Sequence, residues 1–190
     1  MNSKVITQSN NRVKIATKSS TIIQVVLGSI FLAGMSQLAI PLPFSPVPIT
    51  MQTLAVALLT LALGPRNASM AVFTYLAQAT VGLPVLAGGV SNPLWMIGPK
   101  VGYLVAFTLT PQLIGNLLKS QTDFSFVKTW FIFSLGELSI LTLGTFCLGF
   151  FFGWQNAFFM GFVPFIPGAL FKVSIAVAAF KPVEFIKSKF

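Results

Sequence analysis

Long apolar runs without charge, broken by short basic or proline-rich punctuation, set the pattern of this chain. No charged residue occurs between Lys18 and Arg66. A helix crossing a hydrocarbon core of ~30 Å needs about 20 residues, so this stretch has room for two spans and a hinge. The hinge is the run 41–48, where Pro41, Pro43, Pro46 and Pro48 prevent a helix from continuing. The pattern predicts helix 1 over 21–40 and helix 2 over 47–63. Gly64-Pro65-Arg66 reads as a tight turn, and helix 3 follows over 67–82. Residues 83–99 are uncharged but too rich in Gly and Pro to be helical throughout. Helix 4 is expected over 100–118, a polar turn over 119–127 and helix 5 over 128–152. A second irregular apolar segment, 153–168, precedes helix 6 over 169–181, which Pro182 punctuates. The expected fold class is an all-α integral membrane protein, a bundle of six transmembrane helices. Its organisation is a basic tail over 1–20, the bundle over 21–186 and a short basic tail over 187–190.

Composition agrees with burial in lipid. Of 190 residues, 55% are apolar and only 8% charged, and the mean hydropathy is +0.86. Soluble domains carry roughly 25% charged residues. The net charge of +9 raises the question of a nucleic-acid partner. The cations, however, are scattered between apolar runs and form no stripe with interleaved aromatics, so no nucleic acid is expected. Six spans put Lys4, Arg12, Lys14, Lys18, Arg66, Lys119, Lys128, Lys181, Lys187 and Lys189 on one side, and only Lys100 and Lys172 on the other. The positive-inside rule then gives an N-in, C-in protein of the cell membrane, with the lipid bilayer as its first partner. A cleaved signal peptide is the competing reading of the N-terminus, but the apolar run continues past the usual ~7–15 residues of such a segment.

Candidate chemistry lies in the three outer connections, 41–48, 83–99 and 153–168, and in the few ionisable residues between them. Irregular backbone at membrane depth is tolerated where it is buried in protein or lines a cavity. One reading is surface loops with Trp95 and Trp154 as interfacial anchors; the other is a pocket closed by the three segments on the outer side. Glu137 falls near the middle of helix 5, where a charge is costly and points to function or to a partner. It either pairs with Lys172 or a neighbouring helix, or serves a site. Lys172 either snorkels outward or meets an anionic or carbonyl-bearing ligand. Lys100 opens helix 4 as an anchor or a ligand contact. Gly88 and Gly89 would let backbone approach a ligand. Asn92 and Tyr103 offer hydrogen-bonding groups, as do Thr50 and Gln52, while Ser29 and Ala33 form a small-xxx-small pair suited to a neighbouring or partner helix. The absence of His and the single cysteine, Cys147, leave no basis for a His relay, a disulfide or a metal site, and no cofactor is expected. There is no phosphate-cradling G-x-x-x-x-G-K-[ST] run, so ATP-driven work would need another chain. A membrane-embedded enzyme using Glu137 would lack a second catalytic group beyond Lys172 and hydroxyls.

Four runs carry a resemblance: SPVPITMQTLAVALLTLALGPR (45–66), GLPVLAGG (82–89), GPKVGYLVAF (98–107) and PFIPGALFK (164–172). They resemble the BioY family, the biotin-specific substrate-binding S components of energy-coupling-factor (ECF) vitamin transporters, and the likeness covers about residues 20–181. The resemblance implies a six-helix S component that captures biotin near the outer face. It also implies a transmembrane coupling protein and two ATPase subunits as partners. Gly88, Gly89, Asn92, Trp95, Lys100, Tyr103 and Lys172 are then the candidate substrate contacts, with Gln52 and Glu137 secondary and Ser29 and Ala33 facing a partner helix. Two departures stand out. Ala169 replaces the aspartate that usually precedes the helix-6 lysine, and Leu141 stands where a tyrosine is common. An S component for a different small anionic solute is the alternative that Ala169 raises.

Overall fold

The computed structural model describes residues 3–120 and 125–179, with side chains from residue 20 onward. Helix α1 (Ser3–Gln37) begins well before the expected residue 21. No Pro or Gly precedes Gly28, so nothing in the sequence stops the helix from extending back through the polar 3–19 stretch. Its apolar part is the candidate span Ser20–Gln37. The side chains of Lys4, Arg12, Lys14 and Lys18 lie outside the described residues, as do Lys181, Lys187, Lys189 and the whole 187–190 tail.

The proline-rich hinge is a small hairpin rather than a plain loop. Strand β1 (Ala39–Ile40) pairs antiparallel with β2 (Ile49–Thr50). Met51 N donates to Leu38 O at 3.1 Å, continuing the ladder. Prolines exclude a helix here, and strand pairing satisfies backbone groups that would otherwise be left without a partner. Helix 2 therefore starts at Gln52, five residues later than expected.

Helix α2 (Gln52–Thr80) contains the expected helices 2 and 3, with a break at Gly64 (φ 78°, ψ 166°) ahead of Pro65. That backbone region is essentially open only to glycine. In an unbroken helix Gln52 and Tyr75 would stand roughly 35 Å apart at ~1.5 Å per residue. Instead Gln52 Nε2 donates to Tyr75 Oη at 2.8 Å. The two arms, 52–63 and 65–80, thus lie side by side.

Segment 83–99 is irregular, as expected, with a Leu86–Val90 bridge and one 3-10 turn, Trp95–Ile97. Helix α3 (Val101–Lys119) and helix α4 (Phe126–Phe152) follow. Ser125 caps α4 by accepting Lys128 N–H at 3.2 Å. Segment 153–168 departs from expectation, because it is largely helical. After Gly153 (φ 78°) come α5 (Trp154–Ala157), a π turn (Phe158–Phe162), a 3-10 turn (Val163–Phe165) and α6 (Ile166–Ala179). Pro164 and Pro167 fall in first turns, where a missing N–H costs no hydrogen bond.

Five helical stretches are long and apolar enough to cross a membrane: Ser20–Gln37, Gln52–Thr80, Val101–Lys119, Phe126–Phe152 and Trp154–Ala179. The chain is a multi-pass membrane protein, and its outward surfaces are apolar, with Ile23, Leu27, Phe73, Leu109, Phe131, Phe146 and Phe171 all exposed. Inside, α1 packs on α2, α2 on α3, α3 on α4, and α6 closes against α2 and α4. Small residues allow the closest approach. A Cβ added to Gly102 would strike the Leu143 carbonyl and Cys147, and one added to Gly144 would strike the Tyr103 ring.

Candidate functional site

One cavity of about 180 Å³ lies where the β hairpin, segment 83–99 and helices α2, α3, α4 and α6 meet. Its apolar walls come from Val47, Leu86, Trp95, Leu104, Phe107, Ile140, Leu141 and Phe165. Its exposed side carries Val90, Asn92 and Lys100; its buried side carries Thr50, Gln52, Glu137 and Lys172. The two ionisable side chains of that buried side are each only 8% exposed.

The buried side is a connected polar wall. Lys172 Nζ donates to Thr50 O at 2.7 Å and to Thr53 Oγ1 at 3.2 Å. The Thr53 side chain also hydrogen-bonds the Glu137 carboxylate, so a hydroxyl from α2 links the α6 ammonium to the α4 acid. A buried ammonium or carboxylate without such partners would carry a desolvation penalty of several kcal/mol. From there the hydrogen bonds run outward. Thr50 Oγ1 donates to Gln52 Oε1 at 3.0 Å, and Gln52 in turn donates to Tyr75. Tyr75 hydrogen-bonds Ser36 of α1, and Ser36 Oγ donates to Val85 O at 2.6 Å. Gln37 adds a bond to Leu86 O at 3.3 Å. The wall thereby ties α6, the hairpin, α1 and segment 83–99 together.

The expected site residues divide into two groups. Asn92, Trp95, Lys100, Tyr103 and Lys172 all line the cavity, as do Gln52 and Glu137. Trp95 presents its ring while Nε1 donates to Thr80 Oγ1 at 3.0 Å. Asn92 Oδ1 accepts Leu94 N–H at 3.1 Å, leaving its NH₂ as the free end. Lys100 is exposed by surface area, yet the protein around it desolvates the ammonium and lowers its pKa from the ordinary lysine value.

Tyr103 is expected to offer a ligand a hydrogen-bonding group, but its hydroxyl is committed elsewhere. It donates to Gly161 O at 2.7 Å and sits 3.3 Å from Thr145 Oγ1, so the ring is what remains for the cavity. Gly88 and Gly89, expected to approach a ligand, do not line the cavity. At φ 77° and 69° they make the tight turn that presents their neighbours Leu86, Ala87 and Val90.

Ser29 is a further correction. It is fully buried and accepts Gln78 Nε2–H at 3.2 Å, so it packs inside the chain rather than facing a partner helix. Ala33 is partly buried against the same core. Thr53, Phe107, Ile140 and Phe165 were not singled out from the sequence. The signal for Thr53 lay in the Val-Pro-Ile-Thr-x-Gln-Thr run that ends on it. Among the described residues, no group of three or more His, Cys, Asp or Glu could hold a metal.

The sequence profile of the BioY family matches residues 7–188. The chain belongs to the BioY family. Among its BioY relatives is "Biotin transporter BioY2" of Lactococcus lactis subsp. cremoris, 36% identical over 152 residues, covering 79% of this chain and 82% of that one. "Biotin transporter BioY" of Thermotoga maritima is 35% identical over 138 residues, covering 72% and 80%. A crystal structure at 2.1 Å, described as the S-component for biotin from an ECF-type ABC transporter, matches with a TM-score of 0.77 and 30% identity. That match covers 86% of this chain and 90% of the other. The four runs that carried the resemblance supply most of the cavity: 45–66 gives Val47 to Thr53, 82–89 the Leu86 turn, 98–107 Lys100 to Phe107, and 164–172 Phe165 to Lys172.

Proposed function

We propose that this BioY-family chain is the substrate-binding subunit of a biotin uptake system, capturing biotin at the extracytoplasmic face and delivering it inward with an ECF energising module. The observation that carries this reading is the cavity itself. It combines apolar and aromatic walls for a thiophane ring and alkyl chain with a few placed donors and acceptors, the make-up of a specific small-molecule site. Asn92, Trp95, Lys100, Tyr103 and Lys172 are the proposed substrate contacts, backed by Gln52 and Glu137. The energising partners would be a transmembrane coupling protein and two ATPase subunits, since the chain carries no phosphate-binding loop of its own.

The direct test is binding of labelled biotin to the purified protein, competed with other vitamins. Biotin alone should displace the label at low concentration. Displacement by a different anionic solute at lower concentration than biotin would favour the alternative that Ala169 raises, because its methyl group puts no hydrogen-bonding group into the cavity wall.

The bundle of 21–186 is read as six crossings, with both termini and the flanking tails, 1–20 and 187–190, in the cytoplasm. The Gln52–Tyr75 hydrogen bond supports counting the arms of α2 separately. Arg66 and Lys119 fall beyond the far end of the arm 52–63 and at the far end of α3, whose starts line the cavity, and this supports the orientation. In a Cys147→Ser background, Asn67→Cys and Ser120→Cys should react with impermeant thiol reagents only after the cell is opened. Ser91→Cys should react in intact cells. The reverse pattern overturns the orientation.

A further inference from the structure

We propose that Glu137 contacts the substrate directly, its carboxylate accepting a ureido N–H of biotin, so that biotin enters ring-first with its own carboxylate left beside Lys100. The proposal rests on the biotin reading and adds to it a residue, a hydrogen bond and a direction.

Glu137 is the sole acidic side chain among the described residues. It sits in the cavity wall and is 8% exposed. An ionised carboxylate accepts only, with about four lone-pair sites. Thr53 supplies its protein hydrogen bond. The Lys172 ammonium has three donors, and Thr50 O and Thr53 Oγ1 take two of them. The buried side of the cavity therefore offers acceptor capacity on Glu137 next to a remaining donor on Lys172. A cyclic urea has the matching order, an N–H donor beside a carbonyl acceptor, and carries no net charge to upset the neighbouring acid and ammonium.

The opposite pose brings two carboxylates together in a buried place, where repulsion is poorly screened. On the exposed side, Lys100 and the Asn92 NH₂ face a ligand with donors and no acid. Lys100 and Phe107, which both line the cavity, are separated by roughly 10 Å of helix, enough to hold a bicyclic head and its alkyl chain lengthwise. Ala169, the other cavity residue on this stretch of α6, offers no polar side-chain atom, which leaves the acceptor role to α4.

The test compares biotin with its two cyclic carbamate analogues, in which one ureido N–H is replaced by an isosteric ring oxygen, on the full chain purified in detergent. In the wild type, one of the two analogues should bind at least about tenfold weaker than biotin, because it turns a lone pair toward Glu137. In Glu137→Met that penalty should fall to within about threefold. An undiminished penalty in Glu137→Met, or none in the wild type, overturns the proposal and leaves Glu137 a partner of Thr53 and Lys172 only. If Glu137→Met does not fold, Glu137→Gln serves, and the penalty should shrink there, since a charge-assisted hydrogen bond is about twice as strong as a neutral one. Biotin methyl ester supplies the direction. Its loss relative to biotin should be the same in wild type and variant. A loss that grows when Glu137 is removed would mean the ligand carboxylate lies against Glu137, and the pose is wrong. A wild type that binds no biotin at all would instead bring down the uptake reading, a distinct result.

Discussion

Lys172→Ala should weaken biotin binding by roughly 1–3 kcal/mol, about 5- to 150-fold, the range for losing a hydrogen bond from a charged group and leaving its partners unsatisfied. The variant removes both the donor to Thr50 O and the donor to Thr53 Oγ1, and so separates α6 from the hairpin that shapes the cavity. It also leaves Glu137 as a buried acid without a cation near it, so thermal stability should fall along with affinity. Lys172→Arg should not restore either property. A planar fork on a longer stem cannot take the place of a compact ammonium between a carbonyl and a hydroxyl. Isothermal titration with biotin and a thermal unfolding curve on the same preparations check both parts. Full-strength biotin binding by Lys172→Ala would remove Lys172 from the site.

A second large effect is expected from Gly144→Ala, a change of one methyl group on α4 at a position that does not itself line the cavity. The new Cβ would occupy the space of the Tyr103 ring, which lines the cavity and whose hydroxyl holds the Gly161 carbonyl of the π turn. The ring cannot shift without giving up that hydrogen bond or parting α3 from α4. Overpacking of this kind costs typically 1–3 kcal/mol, and here the displaced side chain is also part of the cavity wall. The melting temperature should drop and biotin affinity should fall with it. Gly34→Ala is the matched control: a Cβ there meets nothing within 4 Å. It should leave both quantities unchanged. Equal behaviour of the two variants would mean that the α3–α4 contact is looser than described.

The spans were legible because lipid leaves little choice: charge-free runs between Lys18, Arg66, Lys100, Lys119 and Lys128 mark helices almost irrespective of detail. The connections were less so. Four prolines excluded helix over 41–48, but pairing of Ile40 with Ile49 depends on where α1 and α2 stand, which no local pattern encodes. Pro164 and Pro167 read as helix breakers, yet each falls in a first turn, where proline is tolerated. At the site, charge and burial pointed to Lys172 and Glu137, since an ionisable group in a membrane span is conspicuous. Thr53 was passed over because one hydroxyl in an apolar helix is unremarkable until the groups on two other helices are seen to meet it. For Ser29 the spacing allows a helix of this chain or of a partner, and only the resemblance points to a partner. Spacing shows that a small residue permits close approach, but not which neighbour takes the place, and Gln78 of the same chain does.

The fold at Gly64 has a consequence for the surrounding lipid. The arm 52–63 is helical for only about 18 Å at ~1.5 Å per residue, against a hydrocarbon thickness of ~30 Å. The paired strands lead directly into the start of this arm. The cavity begins where this arm begins, with Thr50, Gln52 and Thr53 in its wall. Where a span is shorter than the bilayer, the lipid thins at a cost of fractions of a kcal/mol per Å of mismatch. Acyl chain length thereby becomes a variable of stability, and the protein should unfold at a higher temperature in vesicles of short-chain lipids than in vesicles of long-chain ones.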